Sequence, residues 1–389
     1  MLNRRLMRIK AMQSIYAYKQ LKESLYLLGI EQLKEHFQEE LLTEGLQEKT
    51  RLMKEEKLTL DFFQEFHDKS DIPATSKMDK KYYNLALNTI LAYRKKSKDE
   101  FNNICKKMIK EVEGLFFKYL KILRYILDLA DVARTSLENK SNRLFTFQRE
   151  QKFLKIFSQN EALISLRKNA KLRREFEKFN IHADNDEIKE WYKWLLKEEG
   201  WDKFENVSGF EESKALLTYL IEDFILKNEN IVSSFEVEDL HWTENQKILK
   251  NLLNKTIKEL EKGNEESANI LSSISENWEE DKIYFEILYK NTLEEEPIYE
   301  ALIEQKSEKW RTERIAKVDK VLINMAITEM VNFPSIPVKV TINEYIDISK
   351  KYSTPKSWQF LNGMLDAISK QMIEEGKIKK SGRGLLDNK

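Results

Sequence analysis

No proline occurs between Pro73 and Pro297, and the 389-residue chain holds only 5 prolines and 10 glycines in all. Proline removes a backbone donor and clashes with the preceding turn, and glycine costs about 1 kcal/mol relative to alanine inside a helix. Long runs of Leu, Lys, Glu and Ile without these breakers read as helices, so the sequence predicts an all-α chain. The best-defined helix is near the end. Ser353-Thr354-Pro355 forms its start, with Thr354 as N-cap and Pro355 in the first position. Trp358, Leu361, Leu365, Ile368 and Met372 then recur on one face, and Gly376 stops it. Upstream, Arg311 to Met330 is apolar on the side carrying Ile315, Val318, Leu322 and Met325. Pro334 and Pro337 impose a turn before a helix over 338–351, and Pro297 suits a first helical turn. Phe116, Tyr119, Leu120, Leu123, Leu127 and Ala130 form another apolar stripe, and Trp191, Trp194 and Trp201 read as packing anchors.

Charge narrows the function by its distribution rather than its sum. The chain has 66 basic and 66 acidic residues, so its net charge implies no acidic partner. The first twenty residues, MLNRRLMRIKAMQSIYAYKQ, nevertheless carry five Lys or Arg and no acid. Leu2, Leu6, Ile9, Gln13 and Tyr16 fall on one helix face, with Arg4, Arg5 and Arg8 beside it. The single cysteine, Cys105, excludes an intramolecular disulfide and a multi-cysteine zinc site, and reads as a half-buried filler. No segment approaches the ~18 apolar residues that span a bilayer, and no apolar run follows the basic start, so no membrane partner and a cytoplasmic location are expected. His36, His67, His182 and His241 are scattered, and no phosphate-binding glycine loop or nucleophile elbow occurs. Neither catalytic residues, a metal nor a cofactor is expected: the chain reads as a non-enzyme.

Two separated segments carry a resemblance. RRLMRIKAMQSIYAY places Ala11, Gln13, Ile15 and Tyr16 in an A-x-Q-x-[LI]-Y pattern behind an arginine-rich start. Near the other end Pro337, Lys339, Val340, Ile342, Asn343 and Glu344 spell P-x-K-V-x-I-N-E. Lys350, Tyr352 and Ser353 follow, then Phe360, Leu361, Asn362, Gly363, Met364, Leu365 and Asp366 as F-L-N-G-M-L-D. Together they resemble the NusB family, in its long Bacteroidetes-like form. The resemblance implies a NusB-like helical bundle with a large helical insertion. Residues 1–20 would be the basic helix of the core, 21–275 the insertion, 276–374 the C-terminal core and 375–389 a basic flexible tail. Ser335 departs from the acidic residue common in that turn.

The resemblance further implies transcription antitermination: binding of boxA-like single-stranded RNA together with ribosomal protein NusE, within an RNA polymerase antitermination complex on rRNA operons. The residue chemistry agrees, because single-stranded RNA is held by cations on phosphates and by side chains against splayed bases. Arg4, Arg5, Arg8 and Lys10 are the expected phosphate contacts, and Gln13 can read a base edge. Tyr16 or Tyr18 can stack, although Tyr16 on the apolar face reads better as core. The arginines read alternatively as a solvated helix face. Asn343 and Asn362 read as caps or cross-links, and Gly363 as a close helix contact. Two other functions compete: a helical protein–protein scaffold, and an accessory domain of an RNA methyltransferase. An enzyme of that methyltransferase group needs a domain with a glycine-rich cofactor loop and catalytic cysteines, which this sequence lacks.

Overall fold

The computed structural model describes residues 4–43, 45–74, 77–139, 144–182, 184–204, 209–263, 266, 268–307 and 315–388. Leu2 and Arg311 to Arg314, used in the patterns above, lie outside these residues. Every regular element among the described residues is helical. The chain divides into two compact units, one of residues 1–6 and 110–281 and one of residues 7–109 and 282–389. The segment 21–275, expected as one insertion, is therefore shared between units: residues 21–109 belong with the C-terminal helices.

In the unit of residues 7–109 and 282–389, α1 (Arg4–Thr43), α2 (Leu46–Phe66) and the start of α3 (Lys80–Asn139) enclose an apolar cluster. Leu33, Phe62, Phe63, Ala86, Ile90 and Tyr93 form it, and Phe37, Leu52 and Tyr82 continue it. The family-like end is built from α11 (Trp278–Ser307), α12 (Lys317–Asn332), α13 (Val338–Tyr352) and α14 (Ser357–Glu374), the last three packing in all pairings. All residues from Val321 to Met330 are buried in α12. A helix apolar all round belongs in an interior, not on a surface.

The local expectations hold at α13, which begins at Val338 behind Pro337, and shift elsewhere. Pro297 lies inside α11 rather than in its first turn, with buried Thr292 before it and buried Tyr299 and Ile303 after it. Packing on both sides carries the helix past the missing donor. Pro355 and Lys356 form a turn, and α14 starts at Ser357, whose hydroxyl meets that of Thr354 at 2.7 Å. Thr354 thus bonds a side chain instead of capping a backbone amide. After α14, Gly376 adopts φ +68° and the Lys377 amide donates to the Met372 carbonyl at 2.8 Å, a glycine-closed helix end.

The unit of residues 1–6 and 110–281 contains the rest of α3 and seven shorter helices: α4 (Leu144–Ser158), α5 (Glu161–Lys168), α6 (Ala170–Lys178), α7 (Asn185–Lys197), α8 (Phe210–Tyr219), α9 (Glu229–Glu238) and α10 (Trp242–Lys258). A π-helical turn, Leu220–Ile225, extends α8. Aromatic rings fill the core. Phe153 stacks on Phe157 at 4.0 Å and meets Trp201 edge-on, Tyr125 meets Trp191, and Phe235 stacks on Trp242. Trp191 and Trp201 are buried as expected, while Trp194 is only half-buried. Asn160, Asn169, Asp184 and Asn228 cap α5, α6, α7 and α9 through their side-chain oxygens.

Asn169 does more than the others. Its oxygen accepts from the Leu172 amide (3.0 Å), and its buried amide nitrogen donates to the Ala268 carbonyl (2.9 Å). Asn169→Ala should therefore cost about 2 kcal/mol or more, against about 1 for Asn228→Ala at a more exposed cap. Urea unfolding followed by tryptophan fluorescence would measure both, and equal losses would contradict the second role of Asn169.

Candidate nucleic-acid interface

Two acids are buried in α12, Asp319 in its first turn and Glu329 among the apolar residues further along. Glu329 has no solvent exposure, and a buried carboxylate without partners is costly. Its partners come from three other helices. Arg8 of α1 donates from Nε to Oε2 (2.7 Å) and from Nη2 to Oε1 (2.8 Å), a bidentate pair. Tyr284 of α11 donates to Oε2 (2.7 Å), Thr341 of α13 to Oε1 (2.8 Å) and Tyr345 of α13 to Oε2 (3.2 Å). Arg8 Nη1 also reaches Glu344 of α13 at 3.3 Å. Burial pushes the Glu329 carboxyl up, but the hydrogen bonds and charge of Arg8, with those of Tyr284 and Thr341, outweigh it and hold it below its usual value. Burial likewise opposes the Arg8 cation, and Tyr284 and Glu329 prevail to hold it above the ordinary arginine value. Burial and the Glu329 charge push the Tyr345 phenol well up.

This geometry corrects the expectation for two of the five candidate residues. Arg8 is 3% exposed and Lys10 2%, so neither can lie against an RNA strand from where it stands. The physical reason is the setting of α1. Residues Met7 to Met12 are all buried, which no one-sided surface helix permits at about 3.6 residues per turn. Arg5 is exposed, and Arg4 is half-buried with its guanidinium 3.7 Å from both Glu280 and Asp281. Gln13 is half-buried, with its side-chain oxygen shielded from solvent. Tyr16 is half-buried rather than core, whereas Tyr18 is buried, its hydroxyl 2.9 Å from that of Ser97. Sequence reasoning missed Glu329. The signal was present: one acid within NMAITEMV, an apolar stretch that must supply it with a cation.

The helices that carry the motifs divide by face. Thr341 and Tyr345 of α13 serve Glu329, and Glu344 serves Arg8. Leu361, Met364 and Leu365 of α14 are core, while Asn362, Gly363 and Asp366 are exposed. Asn343 is exposed as well, and among the described residues neither it nor Asn362 makes a side-chain hydrogen bond, so the reading of them as caps or cross-links is corrected. A Cβ on Gly363 would meet nothing within 4 Å, so this glycine does not serve close helix packing. Cys105 is buried, and burial pushes its thiol up. Among the described residues no group of three His, Cys, Asp or Glu could hold a metal ion, and no helix is long and apolar enough to cross a membrane.

The NusB family model matches residues 241–370, the stretch that supplies Tyr284, Glu329, Thr341, Glu344 and Tyr345. Residues 241–370 form a NusB-family domain. The match reaches upstream of residue 276, into α10. The chain is 40% identical over 103 residues to the transcription antitermination protein NusB of Salinibacter ruber, covering 26% of this chain and 64% of that protein. It is 46% identical over 85 residues to that of Chloroherpeton thalassium (22% of this chain, 40% of that protein). With that of Koribacter versatilis it shares 42% over 78 residues (20% and 53%). The chain thus spans less than two thirds of the length of these relatives, and it is longer than a typical NusB protein. No solved structure matches it.

The buried pair makes two predictions. Glu329→Gln takes the bidentate anion from buried Arg8, leaving it the looser Glu344 contact, and Arg8→Met leaves the buried carboxylate hydroxyl donors but no cation, so each should cost about 3–5 kcal/mol. The double variant should lose clearly less than the sum, and a double-mutant cycle in urea that returned simple additivity would contradict the coupling. Because the folded-state value of Glu329 is lowered, its contribution is complete above the unfolded carboxylate value of about 4.3 and disappears as pH falls through the folded value. Stability measured from pH 7 downward should therefore fall less steeply in the double variant than in the parent chain.

Proposed function

We propose that the chain is a NusB-type transcription antitermination factor. With ribosomal protein NusE it binds boxA-like single-stranded RNA in the transcripts of rRNA operons, within the RNA polymerase antitermination complex in the cytoplasm. The observation that carries this reading is the seating of α1. A NusB-family domain grips the basic N-terminal helix through Arg8, using the Glu of its I-N-E motif and the buried Glu329. The relatives' shared name, transcription antitermination protein NusB, supports the class of function.

In this reading the five basic-helix candidates have different tasks. Arg5, exposed, and Arg4, half-exposed, contact RNA phosphates, where the planar guanidinium fork suits a phosphate well. Gln13 reads a base edge. Arg8 and Lys10 support the helix from within. NusE docks on the C-terminal helices α12 to α14, on whose surface Asn343, Asn362 and Gly363 stand exposed.

Replacing Arg4 and Arg5 by alanine should weaken boxA binding by the chain with purified NusE. It should also lower the slope of log affinity against log salt by about 0.7 for each lost phosphate contact. An unchanged slope in that variant would remove these arginines from the site. If the parent chain with NusE shows no preference for boxA over scrambled RNA, the helical scaffold becomes the better account.

A further inference from the structure

The segment after α14, expected to be a flexible basic tail, is held in place. Ile378 is buried, and its amide donates to the Met372 carbonyl at 3.1 Å. The Ser381 amide donates to the Pro334 carbonyl at 3.0 Å, and Lys380 Nζ to the Phe333 carbonyl at 3.1 Å. A 3₁₀ turn, Gly382–Asn388, then packs against α13. Gly384 is the tightest point: a Cβ there would lie 2.0 Å from the Pro334 carbonyl oxygen, so any other residue forces the segment away. Most of these docking contacts are made by the backbone, with the Lys380 side chain added at Phe333.

The charges of this segment are all of one sign. Between Glu375 and Asp387 the sequence GKIKKSGRGLL carries Lys377, Lys379, Lys380 and Arg383 and no acid. Lys377 pairs with Glu375 at 2.6 Å, and Lys380 is engaged at Phe333. Lys379 and Arg383 are exposed, with no ion pair among the described residues. Leu385 and Leu386 of the same turn are 52% and 68% exposed, offering an apolar surface to an unstacked base. Two leucines and two free cations fall short of what stable attachment to a membrane surface takes.

We propose that this docked C-terminal segment is a second RNA-contacting surface, on which Lys379 and Arg383 engage the phosphates of single-stranded RNA. The proposal rests on the RNA-binding reading above. Holding the backbone in advance removes part of the ordering cost that a loose basic tail meets on binding.

The test uses the full chain with NusE and a fluorescently labelled single-stranded RNA bearing boxA, titrated from about 50 to 200 mM salt. Lys379→Ala/Arg383→Ala, which alters only exposed side chains, should bind more weakly with a salt slope smaller by about 1.4. Gly384→Ala keeps every charge but releases the segment, as increased protease cleavage would report, and should also weaken binding. An unchanged slope in Lys379→Ala/Arg383→Ala, while Arg4→Ala/Arg5→Ala does lower it, overturns this proposal and leaves the main RNA site standing. A parent chain that binds no RNA overturns both. Full affinity in a released Gly384→Ala overturns the part played by docking. Loss of binding to phosphatidylserine vesicles in Lys379→Ala/Arg383→Ala, with RNA binding intact, would assign the segment to a membrane instead.

Discussion

A carboxylate with no solvent exposure has to be surrounded by donors, and that requirement organises the family-like end of this chain. Glu329 accepts two hydrogen bonds from Arg8 and one each from Tyr284, Thr341 and Tyr345. Those donors sit on α1, α11 and α13, so one anion on α12 relates four helices. Apolar faces alone would tolerate sliding, since leucine packs on leucine in many registers. A bidentate guanidinium does not tolerate it, because a shift of one residue breaks both bonds. Such a pair is weak evidence for net stability, since desolvating two charges consumes most of what their attraction returns. What it supplies here is register.

The same network shows where the sequence could be read and where it could not. Local signals worked at Pro337 before Val338, at the Leu361–Leu365–Ile368–Met372 part of the predicted face, though its first member Trp358 is exposed, and at Gly376, each decided by residues a few positions apart. Arg8 could not be placed this way. Its neighbours Arg4 and Arg5 share its charge, and what distinguishes it is Glu329, 321 residues away, with Glu344 beside it. Pro297 misled for a related reason, because tertiary packing overrides a local helix-breaking preference. Gly363 and Gly384 exchanged expected roles. The helical glycine touches nothing, while the glycine in the apparent tail fits against Pro334. No sequence window contains both Gly384 and the carbonyl that requires it.

The unit of residues 1–6 and 110–281 was legible only in its local grammar. Asn160, Asn169, Asp184 and Asn228 each precede a helix, and their short acceptor side chains favour that position. Its long-range ties leave no such mark. Tyr119 meets the Thr256 hydroxyl and also accepts from the Ser272 amide, joining residues more than a hundred positions apart. Burial pushes that phenol up to about 12, as expected of a tyrosine committed to holding structure. The aromatic anchors Trp191 and Trp201 were visible as anchors, but not what they anchor.

The start of α1 holds a remaining tension that bears on function. The N-terminal end of a helix carries partial positive charge, so cations there are disfavoured by up to about 1 kcal/mol each at the surface. α1 nevertheless places Arg4, Arg5 and Arg8 at that end, with no acid in its first turn. For Arg8 the cost is met internally, by a buried carboxylate at 2.7 Å. Arg4 faces looser acids, Glu280 and Asp281 at 3.7 Å, and Glu280 is 67% exposed. Exposed pairs of that kind contribute roughly 0–1 kcal/mol and weaken with salt. They can be exchanged for a phosphate at little cost, whereas the Arg8 pair cannot. α1 thus begins with one cation, Arg8, fixed by a buried carboxylate and another, Arg4, beside looser acids, an arrangement that fits the proposed contact with an external polyanion.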